Sequence, residues 1–178
     1  MPWGVTLDAF EVRAAVALGL RRAQQNKAAG LADDTAGGQS AVEVHVVGAL
    51  GEIAFARVAN VYPDLAPCPR IGGVDSALAS GLTVDVKATR ALDGNLLEPV
   101  SKAKHPSSRT ADVCVLARVA WTEGQRTAEV ELVGWAWTVH LRQTIREAGM
   151  RTPAYFRHAS RLARSLPLVT WPEGDPRA

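Results

Sequence analysis

The spacing of the apolar residues changes once along this chain, close to Asn60, and that change constrains the fold more than any other feature. Between Ser40 and Asn60 the apolar residues recur with the period of a helix, whereas from Gly72 to Trp137 they alternate or form short runs, as in β-strands. The chain has 178 residues, 47% of them hydrophobic and 21% charged, which is close to the values of ordinary globular domains. We therefore predict one α/β domain over residues 1–178, with no linker and no internal repeat.

Two helices are predicted before the change of period. The apolar positions from Leu7 to about Ala29 fall mostly on one stripe, which indicates an amphipathic helix that ends near Gly30. A second helix begins at Ser40, because Ser40 and Glu43 have the spacing of a capping box, and it continues to the change of period.

Strands and one further helix are predicted after the change of period. Residues 72–89 are expected to form a hairpin about the Ser80-Gly81 turn. The other predicted strands, each a short run of alternating or apolar residues, are 95–100, 111–121 and 128–137. Residues 101–110 are predicted to be an exposed polar loop, and 139–149 a helix that leads into an irregular, Arg-rich C-terminal extension.

Composition argues against several classes of protein. The two cysteines, Cys68 and Cys114, lie far apart without metal-ligand spacing, so we expect no disulfide framework, zinc ribbon or iron–sulfur cluster, and Cys114 is expected in the core. No apolar run is long enough to span a membrane, and the N-terminus lacks the layout of a signal peptide, so we expect a cytoplasmic protein with no membrane partner. A net charge of +2 is too small to indicate or exclude an acidic partner. Trp135 and Trp137 share one face of a predicted strand and are expected to pack in the core.

Three charged residues of the predicted hairpin form the pattern that most suggests chemistry. Asp85 and Lys87 project from the same face of a strand, because side chains alternate along it, and the hairpin can bring Asp75 beside them. Two carboxylates at the edge of a sheet provide the hard oxygen ligands that Mg²⁺ or Mn²⁺ prefers. An adjacent ammonium can hold a water molecule or stabilise a developing anion, so these groups suit phosphodiester hydrolysis.

The segment VDSALASGLTVDVKATR resembles the D-x₉-(D/E)-x-K signature of the PD-(D/E)XK nuclease superfamily, with Val74 where many members have Pro. The resemblance covers about residues 40–140 and includes a preceding helix and two later apolar strands, as in phage and restriction-type members. It implies an α/β fold with a restriction-endonuclease-like core, in which helices flank a mixed central β-sheet. The family usually places a helix after the Lys strand, and residues 90–110 show no helical pattern.

The resemblance also implies a set of site residues. The family's first core helix carries an acidic metal ligand, and GALGEIAFARVAN offers Glu52 for that role. Glu52, Asp75 and Asp85 would then bind Mg²⁺ or Mn²⁺ as the cofactor, and the backbone carbonyl of Val86 would add an oxygen ligand. Lys87 would position the attacking water.

Several other residues are candidates for supporting roles. His45 lies two helical turns before Glu52 on the same helix face, and Thr89 continues the strand face that carries the Asp-x-Lys pair. Both are candidates for positions next to the site, Thr89 as a phosphate contact, although a lone histidine on a helix is more often structural. Gly48 and Gly51 would let the helix approach the sheet or a substrate closely.

Basic residues in two segments are candidates for contacts to nucleic-acid phosphates. Lys102 and Lys104 belong to the predicted polar loop, and Arg157 and Arg161 belong to a C-terminal segment that has many Arg residues and one local acid, Glu147. Ordinary solvation also accounts for these charges.

The site residues and the resemblance together predict a divalent-metal-dependent nuclease. The resemblance alone implies DNA as its partner, with RNA as the alternative substrate. The main alternative is a catalytically inactive protein of the same fold that acts in nucleic-acid binding or assembly. A retired site is free to lose its buried charges, and the intact Asp75, Asp85 and Lys87 therefore favour the enzyme. A hydrolase of smaller phosphoesters is a weaker alternative.

Overall fold

The computed structural model of the protein describes residues 3–31, 39–67, 73–100, 110–143, 145–146 and 153–164. Its strands are β1 (Trp3–Leu7), β2 (Ser76–Ala77), β3 (Thr83–Thr89), β4 (Leu96–Pro99), β5 (Val113–Ala120), β6 (Ala128–Trp137), β7 (Ile145–Arg146) and β8 (Ala154–Arg157). Its helices with described bounds are α1 (Ala9–Ala28), α2 (Ala41–Ala59), the single turn α3 (Thr138–Leu141) and a 3₁₀ turn at Ala159–Arg161. Val100 is also helical, and residues 101–109 of the predicted polar loop lie outside the described residues.

Five strands form the main sheet in the order β1-β6-β5-β3-β2. Strand β3 runs parallel to β5, while the other neighbouring strands are antiparallel, so the sheet is mixed and the protein is of the α/β class. A parallel pair needs a crossover connection, and the segment between β3 and β5 contains β4. Strand β4 pairs with β8 in a second, three-stranded sheet of order β4-β8-β7.

The first helix begins two residues later than predicted. Leu7 ends β1, which pairs with β6, and the side chain of Asp8 accepts hydrogen bonds from the amides of Phe10 and Glu11 at 2.8 and 3.0 Å. Glu11 completes the capping box by accepting from the Asp8 amide at 2.8 Å. The short strand was missed because its pattern is only three alternating apolar residues, the last of which, Leu7, also fits the helical stripe that follows.

The second helix has the bounds that the sequence predicts. Ser40 accepts a hydrogen bond from the Glu43 amide at 3.1 Å, and Asn60 ends the helix with a left-handed backbone at φ 53°. A Cβ on Gly51 would lie 2.9 Å from that of Ala88, so this glycine permits the close approach of α2 to the sheet. Gly48 has no such neighbour within 4 Å, so it does not serve the approach to the sheet, and its predicted approach to a substrate stays a prediction.

The predicted hairpin and the later strands are confirmed. Leu78 and Leu82 face each other across the turn, where the Leu78 amide donates to the Leu82 carbonyl at 2.8 Å, and Gly81 takes the φ of 83° that the turn requires. The strands predicted at 95–100, 111–121 and 128–137 correspond to β4, β5 and β6.

The main sheet carries a separate apolar cluster on each face. Helices α1 and α2 cover the face that contains Val84, Val86 and both predicted core tryptophans, Trp135 and Trp137. The rings of the two tryptophans pack edge to face with centroids 5.6 Å apart. The other face buries Cys114 in a smaller cluster with residues from β4, α3 and the 3₁₀ turn.

The helix predicted over residues 139–149 is confirmed for its first turn and wrong at Ile145–Arg146, while residues 144 and 147–149 lie outside the described residues. The helix stops at Leu141, and Ile145–Arg146 pairs with β8. The side chain of Arg142 turns to Glu98, to which it donates two hydrogen bonds of 2.6 and 2.8 Å. Backbone pairing with β8 thus takes the place of helical hydrogen bonds at Ile145–Arg146, and the ion pair with Glu98 holds Arg142.

Candidate active site at the edge of the sheet

Strand β3 presents different residues to the two faces of the sheet. Val84 and Val86 point toward α2, whereas Asp85 and Lys87 point to the opposite face, where Asp85 lies beside Cys114 of β5. Lys87 Nζ lies 2.5 Å from Asp85 Oδ2. The Asp-x-Lys spacing therefore forms an ion pair along a single strand.

Asp75 occupies the edge of the sheet, just before β2. Its Oδ2 accepts a hydrogen bond of 2.7 Å from the amide of Val86 on β3. The N–H and C=O of a strand residue point to the same side of the strand, so the Val86 carbonyl also faces the edge that holds Asp75. The edge thus combines a carboxylate and a carbonyl, which are the two kinds of oxygen ligand that the sequence predicted.

Glu52 reaches the same region from α2 and is bound there by an arginine of α1. Arg22 donates from Nη1 to Oε1 at 2.7 Å and from Nη2 to Oε2 at 2.8 Å, while both side chains are about one-tenth exposed. The helices can bring these residues together because Gly19 has no side chain where α1 meets Val46 of α2. Arg22 also donates to the backbone carbonyl of Asp64 at 3.3 Å.

Three carboxylates interact at this edge. Burial raises the pKa of Asp75 well above its usual value, and the nearby charges of Glu52 and Asp85 raise it further. The hydrogen bond from Val86 and the charge of Lys87 oppose that rise. The charge of Asp75 is therefore opposed both by the acid of the helix and by the acid of the strand.

The ion pair keeps Lys87 charged. Burial alone would lower the pKa of Lys87, but Asp85 and, more weakly, Asp75 raise it overall. Burial and the charge of Asp85 raise the pKa of the Cys114 thiol to about 12. Cys114 is thus a protonated core residue, as predicted, and Lys87 is a fixed cation.

A cleft opens beside Asp75. It has a volume of about 490 Å³ and lies between the loop at residues 62–66 and the segment 74–77. Tyr62 lines it and is 82% exposed. Asp75 can therefore be reached from solvent along a wall that carries an exposed aromatic ring.

Two of the three acidic side chains are engaged by cations of the protein itself. Within the described residues, no three His, Cys, Asp or Glu side chains are gathered around one point as ready metal ligands. Arg22 holds Glu52, and Lys87 holds one oxygen of Asp85. The donors are nevertheless all oxygens, which suits Mg²⁺ or Mn²⁺ rather than a metal that prefers nitrogen or sulfur ligands.

The two predicted supporting residues make contacts away from this edge. His45 Nε2 lies 3.2 Å from the side-chain nitrogen of Asn26, between the two helices. Thr89 accepts a hydrogen bond from the amide of Ala91 at 3.1 Å and shapes the turn after β3. A site role for His45 and Thr89 stays a prediction.

The predicted nucleic-acid contacts are placed only in part. Lys102 and Lys104 lie outside the described residues. Arg161 is exposed, and Arg157 donates to its backbone carbonyl at 3.4 Å. Arg142, in the same segment, pairs with Glu98, which lies 44 residues earlier in the chain, while Glu147 lies outside the described residues.

Arg22 is the site residue that the sequence analysis missed. It lies four residues after Leu18 and seven after Ala15, both buried, and therefore occupies the apolar stripe of α1. A charged residue on a buried stripe was the available signal, although it does not reveal which partner satisfies the charge.

Comparison with known proteins gives a family but no activity. Residues 3–125 match the family model described as a family of unknown function, DUF5843, and this stretch contains all the acidic and basic residues of the candidate site. No curated protein and no solved structure matches the chain. None of the described helices is both long and apolar enough to cross a membrane. Because the match covers more than half of its length, the chain belongs to the DUF5843 family.

Proposed function

We propose that this protein is a divalent-metal-dependent nuclease with a restriction-endonuclease-like core, and that DNA is its substrate. The observation that carries the proposal is the hydrogen bond that ties Asp75 to Val86, the residue between Asp85 and Lys87, at an edge where the charges of Glu52 and Asp85 also act on Asp75. The proposal is also supported by the order of elements along the chain, which is a helix, a hairpin and two apolar strands of a mixed sheet, as in the family that the sequence resembles.

The residues present fit a hard divalent cation. Asp75 and Asp85 would hold Mg²⁺ or Mn²⁺, and the Val86 carbonyl faces the same edge. Placing two carboxylates together raises the pKa of Asp75, and a cation relieves that unfavourable interaction. When bound, the metal supplies positive charge for the phosphate and lowers the pKa of a coordinated water.

The chain's own side chains supply the remaining steps. Lys87 is a permanently charged donor beside Asp85, so it can orient the attacking water and stabilise negative charge that develops on the phosphate. Tyr62 at the rim of the cleft offers a face on which a base can stack. These groups are suited to a polymeric nucleic acid with a phosphate near Asp75.

One observation favours the alternative of a non-cleaving nucleic-acid-binding or assembly protein. Arg22 and Lys87 compensate Glu52 and Asp85 within the protein, so the site can be stable without metal. A non-cleaving protein would keep these pairs for stability and bind nucleic acid independently of divalent ions.

An assay of purified protein on labelled single-stranded DNA, double-stranded DNA and RNA, with Mg²⁺, Mn²⁺ or EDTA, separates these functions. The nuclease proposal predicts DNA cleavage that EDTA abolishes and that Asp75→Asn removes. Asp93→Asn, an exposed acid in the turn after β3, is the matched control and should cleave normally. Metal-independent binding without cleavage supports the alternative, and hydrolysis of small phosphoesters alone contradicts the proposed substrate.

A further inference from the structure

Arg22 lies outside the D-x₉-D-x-K pattern, yet it forms a bidentate ion pair with Glu52 of the candidate site. Its guanidinium engages both oxygens of Glu52, at 2.7 and 2.8 Å. Such a fork fixes the plane and the direction of the carboxylate, which a single hydrogen bond would not do.

Arg22 is itself held in place. Its Nη2 also donates to the carbonyl of Asp64, in the loop that lines the cleft beside Asp75. The side chain is about one-tenth exposed, and the helix from which it projects is in close contact with α2 at Gly19. The guanidinium is therefore a fixed positive charge between the helices and the cleft.

We propose that Arg22 is a positioning residue that holds both oxygens of Glu52. As a result, Glu52 contacts the divalent ion through water and not directly. This inference rests on the proposed nuclease function. The ion is then bound directly by Asp75 and Asp85. The Arg22–Glu52 pair acts as one neutral unit beside it.

Two physical reasons favour this arrangement. An oxygen that already accepts a hydrogen bond from Arg22 would place a divalent ion close to the guanidinium, and the two cations repel. Mg²⁺ also keeps several of its waters in proteins and commonly takes only one or two carboxylates. A carboxylate fixed by Arg22 can orient one of those waters, as residues behind a metal's direct ligands do.

Titration calorimetry with Mn²⁺ alone tests this inference on four folded full-length proteins. They are the wild type, Arg22→Gln, Glu52→Gln and the double variant Arg22→Gln/Glu52→Gln. The double variant removes one positive and one negative charge, so it keeps the net charge and leaves no buried ion unpaired if a single variant fails to fold. A second double variant, Glu11→Gln/Arg57→Gln, is the control, because it removes an exposed ion pair of 2.9 Å between the same two helices.

The inference predicts a definite order of Mn²⁺ affinities. Arg22→Gln should bind about tenfold more tightly than wild type, because the repelling charge is gone and Glu52 is free to coordinate. The double variant and the control should bind within about threefold of wild type, and Glu52→Gln should bind about tenfold more weakly because Arg22 is left uncompensated.

A large loss of affinity in the double variant overturns the inference. If Glu52 is a direct ligand, the double variant loses about thirtyfold or more in affinity, because the ion loses one of its ligands. Either result leaves the nuclease proposal standing. Failure of the wild type to bind Mn²⁺ contradicts the nuclease proposal itself, and this inference with it.

Discussion

The two faces of β3 differ in what they contribute. On one face Val84 and Val86 are buried under α2, and their contacts fix the position of the strand. On the other face Asp85 and Lys87 form an ion pair of 2.5 Å, and their side chains remain 11% and 26% exposed. The apolar face therefore determines where the charges lie, while the polar face is available for chemistry.

The largest effect is expected from a charge placed on the apolar face. Val84→Asp puts an unpaired carboxylate at a position with no solvent exposure, so it should lower the free energy of unfolding by about 3 kcal/mol or more. Val139→Asp, at a valine that is 50% exposed, should change it by less than about 0.5 kcal/mol. Urea unfolding measures both, and equal losses would show that the apolar face has no special role.

On the polar face, Lys87→Ala should affect activity more than folding. Loss of a positioned cation is expected to slow cleavage by about 100-fold, which corresponds to about 2.7 kcal/mol in the barrier. Lys27→Ala, at an exposed lysine of α1, should cleave at the wild-type rate. Single-turnover cleavage with saturating Mg²⁺ provides the comparison, and a rate within a few-fold of wild type for folded Lys87→Ala contradicts the proposed role.

The two aspartates should change the stability of the metal-free protein in opposite directions. Asp75→Asn can keep the hydrogen bond from Val86 while removing a crowded charge, so it should raise the free energy of unfolding by about 1 kcal/mol. Asp85→Asn leaves Lys87 without its nearest counter-charge and should lower that free energy by about 1–2 kcal/mol. Urea unfolding in EDTA tests both, and changes of the same sign would contradict this description of the site.

Asp85→Asn also shows how the structure alters an expectation. From the convergence of two acids alone, its removal would be expected to stabilise the metal-free protein. Because Asp85 also pairs with Lys87, its removal is expected to lower the free energy of unfolding instead.

The pH dependence of stability should depend on Asp75. Its pKa in the folded protein lies well above the usual 3.8, so the folded state binds more protons than the unfolded state between 3.8 and that raised pKa. Ionisation of Asp75 therefore destabilises the metal-free protein as the pH rises through this window, by at most about 1.4 kcal/mol per pH unit. The free energy of unfolding, measured in EDTA at several pH values, should depend less steeply on pH for Asp75→Asn than for the wild type. Identical slopes for the two proteins would contradict the raised pKa of Asp75.

The sequence predicts the elements that local patterns specify. Ser40 marks the start of α2, the turn at Gly81 marks the hairpin, and the alternation along β3 separates its two faces. The pairing of Arg22 with Glu52 and of Arg142 with Glu98 was not predictable in the same way, because each joins residues that only tertiary packing brings together.

Strand β1 shows a second limit. Its five residues are stabilised by pairing with β6, more than 120 residues later, and carry too short a pattern to separate them from the helix that follows. The helix predicted after β6 failed for the same reason, since β7 depends on pairing with β8. Elements that rest on distant partners leave a weak local signal.

Anomalous diffraction from crystals grown with Mn²⁺ tests the central claim most directly, because it locates the ion relative to the two faces of β3. The proposed site predicts one strong peak at the sheet edge, about 2.1 Å from an oxygen of Asp75 and from an oxygen of Asp85. The Val86 carbonyl should face that peak. A map without a peak there, at Mn²⁺ concentrations that support cleavage, would contradict the assignment of this edge as the metal centre.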